Sequence, residues 1–592
     1  MQETFDWLYE KSQNKETKGI DLYGLIISEQ NILLAYRNIK SNTGSKTSGV
    51  DELTINDYKM KDQETFIREI RDTLENYQPQ MVRRVEIPKP NGKMRPLGIP
   101  TMRDRLIQQM FKQILEPICE ARFHKHSYGF RPNRSAHHAI ARCNFMIGRV
   151  ENHYAVDVDI KSFFDNVNHT RLMKQLWNIG IKDKRVLAII YKMLRAPIKG
   201  EGVPTKGTPQ GGILSPLLAN VVLNDLDWWI SNQWETFESR KKYSNKSKQS
   251  FALKGTRLKE MYIVRYADDL KVFARTHESA KRIYHATKGY IEGRLKLEIS
   301  HEKSQIINLR KRKSEFLGFE IKAVLKRKKY VSNTFVSRKS KKRIKQQIRE
   351  KIKEIQKHPN AQMVREYNSY IMGIRNYYEI ATHVSVDFRE ISYQTSKTKH
   401  VRLKKCAKYG RPKRKTTLYR KCFKGNCKTY TIGEVPLFPL EDTKWVLPKF
   451  FNPKVNNYTE EGRKLIREKQ SGHIQNEVNK MLKSFNKSRS VEYNDNRISK
   501  YSMQRGRCAI TQWFLTAGEM HCHHIIPLSL RGTDKFQNLV IVHKDVHLLI
   551  HASRKETINE LLGKLNLTSK QIEKVNELRK KCNLEEMSNQ EN

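Results

Sequence analysis

The sequence predicts an α+β protein of several domains, and three observations carry this prediction. The chain has 592 residues, which is too long for a single hydrophobic core. Short β-prone runs and amphipathic helical runs alternate to about residue 325. Beyond that point the chain becomes densely basic, and it ends in a histidine-rich segment that begins near residue 491. We therefore expect roughly three to five domains.

The excess of basic residues indicates a polyanionic partner. Lys and Arg number 113 against 62 Asp and Glu, which gives a formal net charge of +51. Because this excess is spread along the chain, we expect a broad nucleic-acid surface whose binding weakens with salt. A membrane surface is the weaker alternative, because no apolar run is long enough to span a bilayer and no basic amphipathic helix with an aromatic face stands out. No membrane partner is therefore expected.

The N-terminus and the cysteines indicate a reducing compartment. Residues 1–7 carry acids and no apolar stretch, so neither a secretory signal nor a transit peptide is expected. Eight Cys in a chain of this length do not form a disulfide framework. The bacterial cytoplasm is the expected location, with an organelle matrix as the alternative.

Local patterns predict the elements of the N-terminal part. Residues 1–60 are expected to be helical apart from a loop at Ser41–Gly49. A strand over 85–93 runs into an Asn-Gly turn, and a second strand over 95–100 returns. An amphipathic helix follows over 103–120.

The basic region contains two predicted helices and a linker. Within 337–357, isoleucines recur at helical spacing at Ile344, Ile348, Ile352 and Ile355. One face should pack, and we interpret the positive remainder as a nucleic-acid groove, with a solvated charged face as the alternative. A second helix is expected over 363–380, with its tyrosines in the core. Residues 394–415 are expected to be a basic linker.

Neighbouring carboxylates mark the first candidate site. The tetrapeptide Tyr266–Asp269 lies between two β-prone runs, so we predict a hairpin with Asp268 and Asp269 at its tip. Like charges raise each other's pKa, and a divalent cation between them removes that cost. Upstream, Asp157 and Asp159 share one face of a predicted strand and supply a third carboxylate. A turn with solvated acids and a strand ending in helix-capping acids are the alternatives.

A series of ordered motifs surrounds these acids. Gly207–Pro216 is a glycine-rich turn that lets the backbone approach a nucleotide, and Gln210 offers an amide at its edge. With the acidic segments, this turn resembles the reverse transcriptases encoded by group II introns. The segments that carry the resemblance, in the family's order, are Val50 with Asp51, residues 85–105, Ser127–Ser135, Asp159–Asp165, Pro209–Pro216, Tyr266–Asp269, Ser300–Ser304, Phe316–Phe319 and Tyr367–Tyr378.

The resemblance implies roles for the matching positions. Asp159, Asp268 and Asp269 would hold two Mg²⁺ ions. Asp159 is chosen because the family's aspartate directly precedes the Ile-Lys-x-Phe-Phe segment, and whether Asp157 shares the role stays open. The implied nucleotide-binding residues are Lys89 and Arg95 at the triphosphate, Phe164 as the gate against a 2′-hydroxyl, and Gln210 in the pocket wall.

The second candidate site is the histidine-rich end. His521–Pro527, Asn538–His543, His547 and His551 lie around a β-prone run. One neutral His would act as general base, and others would bind the cation that stabilises a leaving oxygen, which indicates a single-metal nuclease. A structural zinc site and packed histidines are the alternatives.

The histidine spacing resembles the HNH endonucleases, a domain often fused to group II intron reverse transcriptases. The resemblance implies that His524 activates water and that His523 and His547 bind one divalent metal. Asn538 would brace the loop of the ββα-metal motif.

The cysteines do not complete a structural zinc site. The family commonly adds two Cys-x-x-Cys pairs, but Thr511 stands where the partner of Cys508 is expected. Cys508 with His543 is interpreted as a remnant. Cys422 and Cys427 leave a separate metal site open, with free thiols favoured.

The two resemblances together imply a right-hand polymerase fold with added domains. The implied domains are residues 1–80 as N-terminal extension, 81–325 as fingers and palm, 326–395 as a helical thumb or maturase X domain, 396–490 as a basic DNA-binding linker region, and 491–592 as a ββα-metal HNH domain.

The implied protein is multifunctional. It would be an RNA-directed DNA polymerase, a maturase that assists splicing of its intron RNA, and a nuclease that nicks target DNA for retrohoming by target-primed reverse transcription. Its partners would be intron RNA, target DNA and dNTPs, and a homodimer stays open. A splicing scaffold without catalysis, and a reverse transcriptase recruited to DNA repair or defence, are the alternatives.

Overall fold

The computed structural model describes residues 1–59, 62–88, 94–415, 417–467, 477–478, 480–481 and 489–587. The chain divides into two compact units, each of them discontinuous in sequence. The first unit comprises residues 1–122, 169–218 and 454–592, and the second comprises residues 123–168 and 219–453. The single fingers-and-palm segment predicted over 81–325 is thus shared between the two units.

The elements of the N-terminal half alternate between helices and short strands. In chain order they are α1 (Gln2–Gln13), α2 (Leu22–Ile26), α3 (Glu29–Lys40), α4 (Asn56–Lys59), α5 (Gln63–Glu75), β1 (Arg83–Pro88), β2 (Met94–Ile99), α6 (Met102–Glu120), α7 (Ala136–Gly148), β3 (Tyr154–Val158), α8 (Phe163–Asn166), α9 (His169–Ile179), α10 (Lys184–Leu194), α11 (Ser215–Asn232), α12 (Lys246–Lys254), β4 (Met261–Tyr266), β5 (Asp269–Ala274) and α13 (His277–Gly289).

The C-terminal half begins with strands and continues with long helices. Its elements are β6 (Gln305–Asn308), β7 (Ser314–Phe316), β8 (Phe319–Lys326), β9 (Lys329–Val336), α14 (Arg338–Lys357), α15 (Ala361–Tyr378), α16 (Val384–Leu403), β10 (Lys408–Gly410), α17 (Thr417–Cys422), β11 (Thr429–Ile432), β12 (Val435–Pro436), α18 (Glu460–Arg467), α19 (Val491–Met503), β13 (Met520–His524), β14 (Leu539–His543), α20 (Lys544–His551), α21 (Lys555–Leu565) and α22 (Ser569–Lys581). None of the described helices is both long and apolar enough to cross a membrane.

Several local predictions are confirmed. The helix expected over 103–120 is α6, and its N-cap Thr101 accepts a hydrogen bond from the backbone N–H of Asp104. The strands β1 and β2 pair antiparallel, as the Asn-Gly turn predicts, although the turn itself lies outside the described residues. All four isoleucines of α14 are no more than 2% exposed, so this helix packs one face as its spacing predicts.

The linker predicted over 394–415 is wrong for its first ten residues, which form the last part of α16. Charge dominates this stretch, but Phe388, Ile391, Thr395 and Leu403 are buried and share the helical spacing of a packed face. The boundary predicted at 395 therefore falls inside a helix. The boundary predicted at 325 falls inside the β8–β9 pair, where Leu325 is opposite Tyr330.

The second unit contains a four-stranded antiparallel sheet in the order β4-β5-β3-β6. Its buried side chains include Ala155, Val264, Phe273 and Ile307, which belong to a hydrophobic core that extends to α14, α15 and α16. This sheet positions the first candidate site, because the turn between β4 and β5 and the end of β3 meet at one edge.

A buried ion pair fixes the turn between β4 and β5. Arg265 is 1% exposed, and its Nε and Nη2 donate to the two carboxylate oxygens of Asp227 at 2.7 and 2.6 Å. Its Nη1 donates to the backbone oxygen of Ala267 at 2.8 Å and to Asn220 Oδ1 at 3.0 Å. A bidentate pair of this kind is stable in the interior only when its remaining hydrogen-bonding groups are also satisfied.

A close backbone approach supports the same turn from the other side. A Cβ at Gly129 would stand 2.3 Å from the backbone nitrogen of Ala267, so only glycine fits there. The Gly129 oxygen accepts from Asn220 Nδ2 at 3.0 Å, and the N–H of Tyr128 donates to the Arg265 oxygen at 2.9 Å. The segment that contains Gly129 therefore lies directly against the hairpin.

In the first unit, the helix α19 is tied to the N-terminal helices by buried polar contacts. Lys40 Nζ on α3 lies 3.0 Å from both Glu492 and Asp495, and it donates to Asn496 Oδ1 at 2.7 Å. Tyr36 Oη donates to Glu492 at 3.2 Å. Buried residues of α19 share one hydrophobic core with residues of β13, β14 and α20 to α22.

Removing the Asp227 carboxylate will destabilise the second unit strongly, because it leaves the Arg265 guanidinium buried without a counter-charge. We expect Asp227→Ala to lower the free energy of unfolding by about 3–5 kcal/mol. Urea unfolding of the full chain, followed by fluorescence, measures this loss. Glu278→Ala is the matched control, because its pair with Arg282 is exposed and contributes less than about 1 kcal/mol. Equal losses in the two variants would contradict the structural role of the buried pair.

Candidate functional site

The acidic hairpin brings two carboxylates to the end of the β4–β5 pair. Tyr266 pairs with Asp269, so the loop consists of Ala267 and Asp268 alone. Ala267 has φ of +57°, a value that two-residue hairpin loops require at their first position. The bonds from Arg265 and the close contact with Gly129 maintain this conformation in a residue other than glycine.

The third carboxylate reaches the same edge through strand register. Val158, the last residue of β3, pairs with Leu270 of β5. Continuing this antiparallel register by one residue puts Asp159 beside Asp269. The sheet therefore gathers Asp159, Asp268 and Asp269, which the sequence predicts as one set.

The electrostatics of this set indicate a cation site. Loss of hydration within the surrounding protein and the neighbouring carboxylates of Asp268 and Asp159 raise the pKa of Asp269 to about 6, although its side chain still reaches solvent. Lys303 Nζ lies 3.2 Å from Asp159 and balances one of the charges. A group of oxygen ligands with an excess of negative charge fits Mg²⁺, which prefers carboxylates and keeps several waters.

Asp157 occupies a different environment from Asp159. Lys271 Nζ donates to its Oδ1 at 2.5 Å, and Ser314 Oγ donates to its Oδ2 at 2.9 Å. Lys271 is opposite Asp157 in the β3–β5 register and is 2% exposed. Both oxygens of Asp157 are thus engaged by neighbouring strands, whereas Asp159 lies at the strand end with the other two acids.

The predicted nucleotide-binding residues lie in separate parts of the chain. Phe164 is in α8, where its ring lies 5.3 Å from Phe163 and 6.5 Å from Phe130. In the first unit, Arg95 Nε donates to Gln210 Oε1 at 2.9 Å, so these two predicted residues are brought together. The backbone oxygen of Gln210 accepts from the N–H of Gly98 at 2.6 Å. Lys89 lies outside the described residues.

The second candidate site is built on a hairpin followed by a helix. The strands β13 and β14 pair antiparallel, and α20 follows β14 directly. Asn538 spans the connecting loop, since its Oδ1 accepts from the N–H of Ile526 and its Nδ2 donates to the oxygens of Ile526 and Thr533, each at 2.9 Å. These bonds fix the path of the chain immediately after His524.

His524 has a carboxylate partner that sequence reasoning missed. Its Nε2 lies 2.8 Å from Asp534 Oδ1, and its ring stacks on Tyr493 with 5.3 Å between centroids. Burial alone would raise the pKa of Asp534, but hydrogen bonds from His524 and Ser490 hold it below its ordinary value. An ionised carboxylate that orients an imidazole is the arrangement a general base requires.

A group of metal-binding side chains lies beside His524. One donor atom each from His523, His551 and Cys582 lies within 4.8 Å of the other two. His547, predicted as the second ligand, is not in this group, but its ring centroid lies 4.8 Å from that of His551, 5.3 Å from that of His523 and 3.6 Å from that of His521. In the sequence, His547 and His551 are one helical turn apart, and this spacing could have predicted that His551 lies near the other histidines. No sequence pattern predicted Cys582.

The imidazoles of this cluster are held neutral. Burial, followed by the neighbouring histidines, lowers the pKa of His523 to about 3, and burial followed by the charge of Arg579 lowers the pKa of His551. Neutral imidazoles keep a lone pair for a cation, so the donor chemistry fits a divalent metal. Within the described ranges, no other three His, Cys, Asp or Glu side chains have donor atoms this close together. The oxygens of Asp159, Asp268 and Asp269 are therefore not all within 4.8 Å of one another, and neither Cys508 with His543 nor Cys422 with Cys427 belongs to such a group. Instead, Cys508 Sγ accepts the N–H of His543 at 3.3 Å.

Comparison with known proteins identifies the polymerase half. Residues 87–321 match the family described as Reverse transcriptase (RNA-dependent DNA polymerase). Protein YkfC of Escherichia coli is 35% identical over 303 residues, which cover 48% of this chain and 78% of that protein. A solved structure of telomerase from Candida albicans covers 57% of this chain and 62% of its own, at 12% identity and a TM-score of 0.32, which is too low to support an argument.

A second relative identifies the family as a whole. The group II intron-encoded protein LtrA of Lactococcus lactis is 33% identical over 439 residues, which cover 63% of this chain and 72% of LtrA. This similarity confirms the resemblance expected from the ordered motifs, and the matching domain gives the palm and fingers fold of a reverse transcriptase. The chain therefore belongs to the group II intron-encoded proteins and carries a reverse transcriptase domain.

Proposed function

We propose that this protein copies its intron RNA into DNA, assists the splicing of that RNA, and nicks target DNA so that the new 3′ end primes the copying. The observation that carries the polymerase part is the set of three carboxylates at one sheet edge, Asp159, Asp268 and Asp269. Burial and their mutual repulsion together raise the pKa of Asp269, which supports a cation-dependent role over a solvated turn.

In the polymerase site, Asp159, Asp268 and Asp269 would hold two Mg²⁺ ions, which lower the pKa of the primer 3′-hydroxyl and neutralise charge on the triphosphate. The buried Arg265 holds the backbone of the hairpin through its bonds to Asp227 and to the oxygen of Ala267. Phe164 would limit space at the 2′ position of the incoming nucleotide. Arg95, already hydrogen-bonded to Gln210, and Lys89 would contact the triphosphate.

Binding of intron RNA is assigned to the basic face of α14 and α16. A groove of about 800 Å³ lies between these helices. The cationic side chains that line it are Lys342, Lys345, Arg349, Lys353, Lys397 and Arg402. Only Glu350 among the lining residues is acidic. A folded RNA would present its phosphates to this basic groove, and its affinity for the protein should fall as the salt concentration rises.

The nuclease part rests on the His524 arrangement. Asp534 would orient the imidazole and stabilise its protonated form while His524 takes a proton from water. His523 would hold the cation, which stabilises the leaving oxygen when bound. The bonds of Asn538 across the loop after β13 would keep His523 and His524 in position.

Loss of the hairpin carboxylates will abolish primer extension. We expect Asp268→Ala with Asp269→Ala to lower the extension rate on an RNA template by at least about 100-fold, because the ion-binding charge is removed. Glu278→Gln, an exposed acid on α13, is the control and should extend like the wild type. Equal extension by the carboxylate variant would overturn the polymerase assignment and leave the scaffold alternative. Splicing should survive in both variants.

The pKa of Asp269 predicts that the Mg²⁺ requirement depends on pH. Lowering the pH below about 6 protonates this carboxyl and removes a ligand, so protons compete with Mg²⁺. The Mg²⁺ concentration for half-maximal extension should therefore rise as the pH falls through 6, and saturating Mg²⁺ should restore much of the rate. Titrations of Mg²⁺ on both sides of this pH measure the effect. A half-maximal concentration that stays constant would contradict it.

Loss of the His524 imidazole will separate the two activities. We expect His524→Ala to reduce nicking of target DNA by about 100-fold or more while RNA-templated extension from a supplied primer continues. Asp534→Asn should show a smaller loss in nicking, because the imidazole stays but is no longer oriented by a charge. His358→Ala, on the exposed surface, is the control for both assays. Loss of extension or splicing in His524→Ala would instead indicate a structural role.

A further inference from the structure

We propose that Lys40, on helix α3 of the N-terminal extension, is a positioning residue of the nuclease. It acts through helix α19 on Asp534, and Asp534 in turn orients the imidazole of His524. The inference deepens the proposed nuclease function and rests on it for its chemical meaning. The contacts that carry the inference are a property of the fold and can be tested without any nicking assay.

The face of α19 that meets α3 carries two buried acids. Glu492 and Asp495 are each less than a tenth exposed, and Lys40 Nζ lies 3.0 Å from a carboxylate oxygen of both. Tyr36, which is fully buried, also donates to Glu492 at 3.2 Å. Because two buried carboxylates repel each other without a counter-charge, the ammonium group of Lys40 maintains the position of α19 against α3.

Asn496 connects these contacts to the backbone of Asp534. Its Oδ1 accepts from Lys40 Nζ at 2.7 Å, and its Nδ2 donates to the backbone oxygen of Asp534 at 2.8 Å. A lysine ammonium can only donate, so it requires the amide oxygen of Asn496 and directs the amide nitrogen toward Asp534. Asn496 is 2% exposed, which means that water does not replace these bonds.

The first turn of α19 holds the side chains of the proton-transfer pair. Ser490, the N-cap residue, donates from Oγ to Asp534 Oδ2, while His524 Nε2 lies 2.8 Å from Asp534 Oδ1. Tyr493 stacks on the ring of His524 with 5.3 Å between centroids. A shift of α19 would therefore move the carboxylate and the imidazole of this pair.

A second contact ties the start of α19 to the N-terminal extension. Ser490 forms an antiparallel β-bridge with Asp62, which precedes α5. The N-terminal extension thus contacts α19 at Ser490 and at Asn496, and both of these residues bond to Asp534. Simple attachment of the two segments would not require either contact to continue to the carboxylate beside His524. This continuity favours a positioning role over a purely structural one.

Steady-state nicking by the full chain tests the role of Lys40. Lys40→Met keeps the stem and removes the charge. We expect it to lower kcat for nicking of target DNA by about 10–100-fold, because a small displacement of the proton-transfer pair is costly in rate. KM for DNA should stay unchanged, and Lys40→Arg, which keeps a charged donor, should restore most of kcat.

The matched control is Lys11→Met, which removes an exposed ion pair with Glu16 in the same extension. It should nick like the wild type. RNA-templated extension from a supplied primer should continue in all of these variants and shows that the chain is folded. Nicking by Lys40→Met at the wild-type rate, or a loss confined to KM, overturns the proposal.

Asn496→Ala interrupts the same path within α19 and leaves α3 unaltered, so it serves if Lys40→Met does not fold. It should lower kcat to a similar extent, and nicking at the wild-type rate would contradict the path. The double variant should be no slower than the slower single variant, because both changes remove one connection. Losses that multiply would mean that the two residues act separately, which also overturns the proposal.

Hydrogen exchange of residues 525–538, measured by mass spectrometry, follows the segment around Asp534 without relying on nicking. Its amides should exchange faster in Lys40→Met than in the wild type, and should be unchanged in Lys11→Met. Equal exchange in Lys40→Met and wild type overturns the positioning role. Faster exchange in Lys40→Met, when the wild type nicks no DNA, supports the contact between Lys40 and Asp534 through Asn496 and contradicts the nuclease.

Discussion

The buried pair between Arg265 and Asp227 is the interaction on which the polymerase site depends. The hairpin tip holds the adjacent carboxylates Asp268 and Asp269, and Asp159 after β3 adds a third. Because like charges repel, any motion that separates these carboxylates lowers their electrostatic energy. A flexible turn would relieve that repulsion by moving. Here the guanidinium is locked by two bonds to Asp227 and fixes the Ala267 oxygen at 2.8 Å, while Gly129 closes the opposite side. The repulsion is therefore retained in the fold, and together with burial it raises the pKa of Asp269.

The strand β3 shows how two aspartates of one segment acquire different roles. Asp157 and Asp159 are two residues apart, so their side chains share one face of the sheet. Asp157 has Lys271 opposite it within the sheet, so its charge is neutralised where water is excluded. Asp159 is one residue beyond the last paired residue of β3, and the exposed Lys303 approaches its carboxylate. The position of the strand end separates the acid that is neutralised within the sheet from the acid that is predicted to bind metal.

The electrostatics of the histidine-rich end differ from those of the acidic hairpin. The polymerase acids gather negative charge, whereas the histidines around His523 are held neutral by burial, which keeps their lone pairs for a cation. His524 differs from these histidines because its imidazole has an ionised carboxylate, Asp534, as its partner. One module thus contains both a cluster suited to a metal and an imidazole suited to proton transfer.

The sequence by itself determined the features that short-range geometry controls. Adjacent positions in a hairpin set Asp268 beside Asp269, a period of two set Asp157 and Asp159 on one face, and helical spacing predicted the packed face of α14. The order of the motifs was sufficient for the family. The prediction of a linker at 394–403 was wrong because the basic residues obscured the helical spacing of Phe388, Ile391 and Thr395.

Only the tertiary structure decided which distant groups meet. Four contacts join residues from different segments of the chain: Arg265 with Asp227, Asp157 with Lys271, His524 with Asp534, and His523 with Cys582. No local periodicity encodes such contacts. The same applies to His551, which lies beside His523. Local spacing specifies which residues share a face, but packing of whole elements specifies which faces come together, and the chemistry of both sites depends on the second.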